Sequence, residues 1–234
     1  MTALRFEGIT KHYGVRTILD DVSLCVGSAG IVALAGVNGS GKSTLYRIAS
    51  GFVRHEAGRV LMERASGTLD LSPLSPSERV GCGLRYVPQD RRVLCSLSTV
   101  ENVRLAANDC DDVFEVVARL RLGVLLSKPP NRMTAAERCL LLLTIVRAAR
   151  PAFVMVDEPF AGLDRSQRQH CIAILRHLNE CGVGVLLTDH DGRALLDVAS
   201  TVHIIERGRI VYSDDAKAAA VSPVAKRLYF RSRG

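Results

Sequence analysis

Residues 36–44 read GVNGSGKST, a glycine-rich loop that ends in Lys-Ser-Thr. The loop follows the apolar run IVALA at residues 31–35 and leads into an amphipathic segment, so the local order is strand, loop, helix. In such a loop the bent glycine backbone lets successive N–H groups point at phosphate oxygens. A lysine adds a point charge near the terminal phosphates, and a hydroxyl at the next position ligates Mg²⁺. We therefore predict that the chain binds a nucleoside triphosphate.

The predicted phosphate-binding residues all lie in this loop. They are Gly36, Asn38, Gly39, Ser40, Gly41, Lys42, Ser43 and Thr44. A glycine-rich turn without a ligand is the alternative. The strand before the loop and the helix after it are the context that a phosphate loop requires, so they favour the binding interpretation.

The composition narrows the class of protein. With 234 residues the chain can bury one substantial core, with or without a small additional lobe. The net charge of +7 is dispersed, and a phosphate-binding protein needs some excess of cations, so we expect no nucleic acid partner. The seven cysteines never form a Cys-x-x-Cys or Cys/His cluster, so we predict neither disulfides nor zinc and expect most cysteines in the core.

No stretch of the sequence predicts secretion or membrane insertion. The N-terminus lacks the basic-then-apolar pattern of a signal peptide. The longest dense apolar stretch, Leu140–Val146, is far shorter than a bilayer span. We expect a soluble protein in a reducing cytosol.

Short β-like runs and helical patterns alternate along the chain, which predicts an α/β fold. The runs FVMV at 153–156 and VGVLL at 183–187 are continuously apolar, as expected for a mainly parallel sheet that helices cover on both faces. Between residues 96 and 150 helical periodicity replaces the β signal. We predict one domain over residues 1–234, with a core formed by 1–95 and 151–234 and a helical subdomain at about 96–150. The predicted strands are Leu4–Ile9, Val22–Val26, Ile31–Ala35, Arg59–Met62, Leu84–Val87, Phe153–Val156, Val183–Thr188, Val202–Glu206 and Arg209–Tyr212.

A second chemical signal is the pair Asp157-Glu158, which follows the FVMV run. Neighbouring residues at a strand end point in different directions, so one carboxylate can hold Mg²⁺ while the other faces the far side of the phosphate. We assign Asp157 to the metal and Glu158 to polarising the attacking water. A solvated turn is the alternative for this pair taken alone, and the upstream loop favours the catalytic interpretation.

Several elements follow one another in a fixed order across nearly the whole chain. They are the phosphate loop, Gln89, the Asp-Glu pair, AGLD at 161–164 and His190. In this order the chain resembles the ATP-binding cassette ATPases. The resemblance implies a P-loop cassette with a RecA-like core, a mixed sheet, an antiparallel β region and a helical subdomain. It also implies that ATP and Mg²⁺ bind, and that two cassettes sandwich two ATP molecules head to tail. On the same resemblance, the cassettes would separate after hydrolysis and move membrane subunits docked on their helical lobes.

The resemblance implies roles for single residues. Tyr13 would stack on adenine, and Asp164 would cross-link the dimer. Gln89 would join Ser43 and Asp157 at the metal, sense the γ-phosphate and couple the lobes. His190 would contact the γ-phosphate, and Lys42 would supply much of the catalysis by positioning. Three of these assignments have a simpler alternative. Tyr13 is then an ordinary surface aromatic, Gln89 is part of a loop surface, and His190 is a loop histidine whose hydrogen bonds are satisfied.

Within this family the likeness narrows further. The stretches DEPFAGLD at 157–164, GVGVLLTDH at 182–190 and AKRLY at 225–229 are similar to the lipopolysaccharide-export ATPase and its branched-chain amino-acid importer relatives. Phe160 and the Thr-Asp-His triplet favour the exporter. That likeness implies a peripheral subunit on the cytoplasmic face of the inner membrane of a Gram-negative cell, where it powers extraction of a glycolipid. For the basic C-terminal tail, a solvated end and a docking role are equally good interpretations.

One stretch departs from the family pattern. Where the family has Leu-Ser-Gly-Gly-Gln/Glu at the start of a helix, this chain has MTAAE at 133–137. Thr134 and Glu137 still form a capping box, so the helix N-terminus remains polarised to face a phosphate. The methyl groups of Ala135 and Ala136 can obstruct the partner's γ-phosphate, and they cost energy if either φ is positive.

Three hypotheses follow from this departure. The site closes less tightly and turns over more slowly, or the chain pairs with a different cassette that supplies the intact stretch, or the chain is a regulatory subunit with negligible turnover. The segment from Gln89 to Glu137 is also short for the family, which puts the surface that grips the membrane subunit in question.

Overall fold

The computed structural model describes residues 2–28, 30–106 and 123–230. The strands in these residues are β1 Ala3–Tyr13, β2 Arg16–Gly27, β3 Ile31–Ala35, β4 Ala57–Arg64, β5 Gly67–Asp70, β6 Leu84–Val87, β7 Phe153–Asp157, β8 Gly184–Thr188, β9 Thr201–Glu206 and β10 Arg209–Asp215. The helices are α1 Lys42–Ala49, α2 Pro76–Gly81, α3 Thr99–Ala106, α4 Gly123–Ser127, α5 Ala135–Ala149, α6 Arg165–Glu180, α7 Gly192–Val198, α8 Ala216–Val221 and α9 Pro223–Ala225. A 3₁₀ turn covers Pro130–Arg132, and a π-helical turn covers Lys226–Phe230.

The larger sheet has the strand order β10-β9-β3-β8-β7-β6. All of its neighbouring strands pair in parallel except β9 and β10, which are antiparallel. Every residue of β3, β7 and β8 is buried. This burial explains why these strands are continuously apolar, since a parallel sheet needs cover on both faces. The mixed, mainly parallel sheet predicted from the sequence is confirmed.

Alternate residues of the central strands face two different cores. In β3, Ala33 and Ala35 pack with α5, α6 and α7, whereas Val32 and Leu34 pack with α1 and the second sheet. The same alternation runs through β7 and β8. The core sheet therefore forms the middle layer of the molecule, and α1 lies between it and the second sheet.

The second sheet is antiparallel, with the order β2-β1-β4-β5. Strands β1 and β2 form a hairpin in which Tyr13 pairs with Arg16. Strand β5 was not predicted, because Gly67-Thr68-Leu69-Asp70 is short and contains a single strongly apolar residue. Its partner β4 fixes it through the pairs from Leu61↔Asp70 to Arg64↔Gly67.

Between β6 and β7 the described residues contain helices and no strand. Helix α3 packs on α5, as the sequence predicts for a helical segment. The periodic stretch from 113 to 120 lies outside the described residues. Helices α2 and α5 both begin at capping boxes, formed by Ser75 with Glu78 and by Thr134 with Glu137.

In the described ranges no helix is both long and apolar enough to cross a bilayer. The expectation that most cysteines lie in the core is wrong for half of the described ones. Cys139 and Cys171 are buried and Cys82 is partly buried, whereas Cys25, Cys95 and Cys181 are exposed. The exposed cysteines lie in strand β2, in a loop and at the end of α6, where a small residue is tolerated irrespective of its polarity.

Candidate nucleotide-binding site

A cleft of about 400 Å³ opens at the carboxyl end of β3. This is the edge at which parallel sheets bind their ligands, because the loops that follow the strands converge there. The cleft is lined by Arg16, Ile18, Asn38, Gly39, Gly41, Lys42, Ser43, Thr44, Gln89 and Glu158. Residues of the loop at 36–44 and the two more distant residues, Gln89 and Glu158, therefore line one cavity.

Glycine is required at two positions of the loop. A Cβ atom at Gly36 would lie 2.4 Å from the carbonyl oxygen of Ile205, and a Cβ atom at Gly41 would lie 2.6 Å from Leu19 Cδ2. Gly41 also has φ of 112° and caps α1 with no side-chain hydrogen bond. The N–H groups of the first turn of α1 are thus left for a ligand, and the helix dipole favours an anion there.

The Lys42 ammonium lies inside the loop, and the residue is only 7% exposed. Its Nζ donates hydrogen bonds to the carbonyl oxygens of Gly36 at 2.7 Å and Val37 at 3.1 Å. Burial lowers the pKa of the Lys42 ammonium, and the charges of Asp157 and Glu158 oppose that shift. A phosphate chain in the cleft would replace two neutral acceptors by anionic ones, which a buried cation favours.

Asp157 ends β7, and its buried carboxylate is held on both oxygens. Thr188 Oγ1 donates to Oδ1 at 2.6 Å, and the Tyr86 hydroxyl donates to Oδ2 at 3.4 Å. Both donors come from strands that neighbour β7 in the sheet, so the sheet itself orients the carboxylate. Carboxylate and hydroxyl oxygens are the donors that Mg²⁺ prefers, so this residue and Ser43 fit the metal.

Glu158 points to a different set of partners. Its Oε2 accepts a hydrogen bond from Gln89 Nε2 at 2.7 Å and lies 3.8 Å from His190 Nδ1. Its φ of 50° is unusual for a residue with a side chain, and its N–H donates to the Thr188 carbonyl at 2.9 Å. The two neighbouring carboxylates therefore have different partners, and the left-handed backbone of Glu158, not the pleat of a strand, sets the direction of the second one. Strained backbone of this kind clusters at functional sites.

The loop that carries His190 is fixed by its neighbours. Asp189 is fully buried, and its carboxylate accepts hydrogen bonds from the N–H groups of Phe160 and Asp191, both at 2.9 Å. Burial raises the pKa of the Asp189 carboxyl group. The Tyr229 hydroxyl donates to the Asp189 carbonyl at 2.6 Å. The imidazole itself stays largely exposed beside Glu158.

The stretch that departs from the family pattern starts α5 in regular geometry. Thr134 Oγ1 accepts a hydrogen bond from Glu137 N–H at 3.2 Å, and Glu137 Oε2 accepts one from Thr134 N–H at 2.7 Å. Ala135 and Ala136 lie inside the helix, and neither has a positive φ. The predicted backbone penalty therefore does not arise. Ala135 is exposed, whereas Ala136 is only 5% exposed.

Two further predicted residues lie at the ends of elements. Tyr13 ends β1, and its ring is half exposed with the Lys11 ammonium 5.1 Å from its centroid. Asp164 caps α6, and its Oδ1 accepts a hydrogen bond from Gln167 N–H at 2.8 Å. The stacking role of the tyrosine and the dimer role of the aspartate stay predictions.

Sequence reasoning missed Arg16 and Ile18, which form a wall of the cleft. Both also line an adjoining cleft of about 380 Å³ that reaches Glu206 and Arg207. The only sequence signal was their position three and five residues after Tyr13, since the hairpin turn brings the start of β2 to the loop. Thr188 and Tyr86 were also missed, because a hydroxyl that orients a carboxylate from a neighbouring strand leaves no local pattern.

Comparisons with known proteins agree with this geometry. Residues 19–161 match the family described as ABC transporter. A probable ABC transporter ATP-binding protein of Azorhizobium caulinodans is 31% identical over 95% of this chain and 80% of its own length. The lipopolysaccharide export system ATP-binding protein LptB of Escherichia coli K12 is 30% identical over 98% of this chain and 97% of its own.

Solved structures have the same fold. An ATP-binding cassette of an ABC transporter in its ADP conformation is 22% identical, with a TM-score of 0.82 over 99% of this chain and 100% of the other. A dimeric bacterial ABC transporter cassette is 20% identical, with a TM-score of 0.78 over 91% of this chain and 98% of the other. The chain therefore belongs to the ABC transporter family, as an ATP-binding and ATP-hydrolysing subunit with the fold of an ABC cassette.

Proposed function

We propose that the cleft at the carboxyl end of β3 binds ATP with Mg²⁺ and that Glu158 directs the attacking water. The observation that carries this proposal is the 2.7 Å hydrogen bond between Gln89 and Glu158 in the wall of the cleft that Lys42 also lines. A nucleotide bound along the loop at 36–44 would bring its terminal phosphate between these groups. Positioning and charge stabilisation then supply most of the catalysis, as phosphoryl transfer requires.

The residues proposed to hold the metal are Ser43, Asp157 and Gln89. When bound by these residues, the metal would supply neutralisation of the charge that develops on the phosphate oxygens. The buried carboxylate of Asp157 is oriented by hydroxyl donors on both oxygens, so it needs little reorganisation when the metal binds. The loop supplies the remaining contacts through its main-chain N–H groups and the Lys42 ammonium.

Glu158, Gln89 and His190 form the proposed hydrolytic group. Gln89 Nε2 holds one carboxylate oxygen of Glu158 in place. Among the described residues, no protein group donates a hydrogen bond to the second carboxylate oxygen of Glu158, so that oxygen can accept a proton from water. His190 Nδ1 lies 3.8 Å from the Glu158 oxygen that Gln89 also contacts, and this proximity supports the proposed contact of the imidazole with the γ-phosphate.

The second half of the site is proposed to come from another cassette. In this scheme Thr134, Ala135, Ala136 and Glu137 present the N-terminus of α5 to the partner's γ-phosphate, and Asp164 contributes across the interface. Tyr13 would stack on adenine. The capping box engages the N–H groups of Thr134 and Glu137, so the N–H groups of Ala135 and Ala136, the first two residues of α5, are the ones proposed to face the phosphate, where the helix dipole favours an anion. The exposed Ala135 methyl lies where the partner's phosphate would approach, which supports closure that is less tight.

The proposed transport role is of the lipopolysaccharide-export type, on the cytoplasmic face of the inner membrane and with integral-membrane partner subunits. The likeness of the whole chain to the E. coli LptB protein supports it. A branched-chain amino-acid importer ATPase is the alternative. We also propose the division into a core of 1–95 and 151–234 and a helical subdomain at about 96–150, the latter as the side that docks on the membrane subunits. Purification of a tagged copy from detergent-extracted membranes, with identification of the integral protein that co-purifies, tests this role.

Phosphate release from the purified chain at saturating MgATP tests the catalytic assignment. We expect Glu158→Gln to lower the rate at least a hundredfold, because the amide is no base, while ATP binding persists. Glu180→Gln, at an exposed position on α6, is the matched control and should leave the rate unchanged. Undiminished hydrolysis in Glu158→Gln would refute the assigned base. ATP-driven self-association of that variant would support a homodimer over an obligate heterodimer.

A further inference from the structure

Two consecutive arginines follow the Gln89 loop and lie in opposite environments. Arg91 is 5% exposed, whereas the side chain of Arg92 is 87% exposed and forms an ion pair with Asp90 at 2.7 Å. Arg91 also has a φ of 46°, in the left-handed region that disfavours side chains. Burial of a guanidinium and strain in its backbone both cost free energy, so the surrounding structure must hold this residue in place.

The Arg91 guanidinium donates to three main-chain carbonyl groups from two other segments. Its Nη1 donates to Ala135 at 3.1 Å, and its Nη2 donates to Glu158 at 2.8 Å and to Ala161 at 3.0 Å. Among the ion pairs found between described residues, none includes Arg91. In the part of the chain that the structure describes, the hydrogen bonds of this cation therefore all go to main-chain carbonyls, and its buried Nε makes none.

Each of these contacts lies beside a group of the proposed site. Arg91 itself is two residues from Gln89, Ala135 is the first residue of α5, and the Glu158 carbonyl belongs to the proposed base. A guanidinium is a rigid planar fork, so three simultaneous hydrogen bonds fix the relative positions of the three segments. Displacement of any one segment must break a hydrogen bond inside a buried region, which is costly.

We propose that Arg91 is a positioning residue. It fixes the relative positions of three segments: the loop after β6 that carries Gln89, the loop after β7 that carries Glu158 and Ala161, and the start of α5. The conformation that orients Glu158 for hydrolysis is then also the one that presents the α5 N-terminus to the partner's nucleotide. This inference rests on the proposed function of Glu158 and of α5. It adds to that site a residue that no sequence motif marks.

The experiment compares Arg91→Met, Arg91→Lys and the neighbouring control Arg92→Met. In Arg91→Met we expect the turnover number to fall about tenfold or more, since small misplacement of catalytic groups costs this much. ATP affinity of the monomer, measured by calorimetry, should stay within about twofold, because none of the three contacts involves the loop at 36–44. In a Glu158→Gln background, Arg91→Met should raise the ATP concentration needed for self-association by about tenfold.

Arg91→Lys should recover part of the turnover, because an ammonium donates to carbonyls but lacks the planar fork. Arg92→Met should match the parent protein in every measurement. If Arg91→Met does not fold, the turnover and self-association of Arg91→Lys carry the same test, with smaller losses expected.

Unchanged turnover with a lowered melting temperature would overturn the proposal and leave Arg91 a purely structural residue. Loss of monomer ATP affinity together with turnover would also overturn it, because the damage would then reach the phosphate loop. Equal losses of turnover and self-association in Arg92→Met would also overturn it, because the charge of the loop and not the buried contacts of Arg91 would then be responsible. Failure of the proposed function is distinguishable, since it appears as undiminished hydrolysis in Glu158→Gln with Arg91 intact.

Discussion

The two alanines at the start of α5 give the sharpest test of how this cassette closes. Both lie in regular helical geometry, so glycine is not needed there for backbone conformation. Ala135 is exposed at the helix N-terminus, whereas Ala136 is buried against the core. The variants Ala135→Gly and Ala136→Gly therefore separate two effects, steric access for the partner's phosphate and stability of the helix.

The sizes of these effects follow from the burial of each methyl group. Glycine in a helix costs about 0.5–1 kcal/mol relative to alanine, which is the whole expected loss of unfolding free energy for Ala135→Gly. Ala136→Gly also removes a buried methyl worth about 0.8 kcal/mol, so we expect a loss of roughly 1.5 kcal/mol and a melting temperature lower by about 3–6 °C. Only Ala135→Gly removes a methyl group from the exposed end of α5, which lets the partner's phosphate approach the helix N–H groups. One additional hydrogen bond gained in this way is worth about 1 kcal/mol, which corresponds to about a fivefold rise in turnover.

The assay is phosphate release at saturating MgATP, with thermal unfolding of the same preparations. Ala135→Gly should be faster than the parent, and Ala136→Gly should be slower or equal and less stable. A rate for Ala135→Gly no higher than that of the parent would show that the exposed methyl does not limit closure. A larger gain in Ala136→Gly would contradict the assignment as well, because a buried methyl would then control closure.

Three further outcomes are expected. Arg79, 3% exposed, donates to four main-chain carbonyls including the last two of α1, so Arg79→Met should lower the free energy of unfolding in urea by at least about 3 kcal/mol; a loss below about 1 kcal/mol would contradict this. Burial lowers the pKa of the Lys42 ammonium below its ordinary value, so the ammonium loses its proton at a lower pH than an exposed lysine does. Bound anionic phosphates raise this pKa again. MgATP affinity should therefore weaken at alkaline pH, as the Lys42 ammonium begins to lose its proton, and calorimetry in buffers of different ionisation enthalpy should detect proton uptake on binding there; an affinity that stays constant as pH rises would contradict this. Thr188→Val removes the 2.6 Å hydrogen bond to Asp157 and should raise the Mg²⁺ concentration for half-maximal turnover several-fold, without changing ATP affinity at saturating Mg²⁺; an unchanged Mg²⁺ requirement would exclude this orienting role.

The sheet and the cleft were predictable because their signals are local. Glycines with imposed φ values, a lysine and hydroxyls occur within nine residues at 36–44, and continuous apolar runs report burial on both faces of a strand. These features depend on neighbours in the chain, which a sequence displays directly. The divergence of Asp157 and Glu158 was expected from the pleat of a strand end, but its cause is the left-handed backbone of Glu158, which lies just beyond β7 and which the sequence does not reveal.

Other features depend on residues far apart in the chain. Arg91 contacts carbonyls 44 to 70 residues away, and main-chain acceptors carry no residue identity that a sequence pattern could reveal. Thr188 reaches Asp157 only because β8 is the neighbour of β7. The different burial of Ala135 and Ala136 is set by how α5 rotates on the core, since two adjacent alanines look the same in sequence.

The central claim is that the loop at 36–44 grips a polyphosphate through its main-chain N–H groups and Lys42. Calorimetry of MgATP binding to the parent protein, to Lys42→Ala and to the exposed control Lys217→Ala tests it most directly. We expect binding by the parent protein and the control in the range of about 1 μM to 1 mM, and an affinity at least tenfold weaker in Lys42→Ala. No heat of binding in the parent protein at millimolar nucleotide, or equal affinities in all three proteins, would contradict the account.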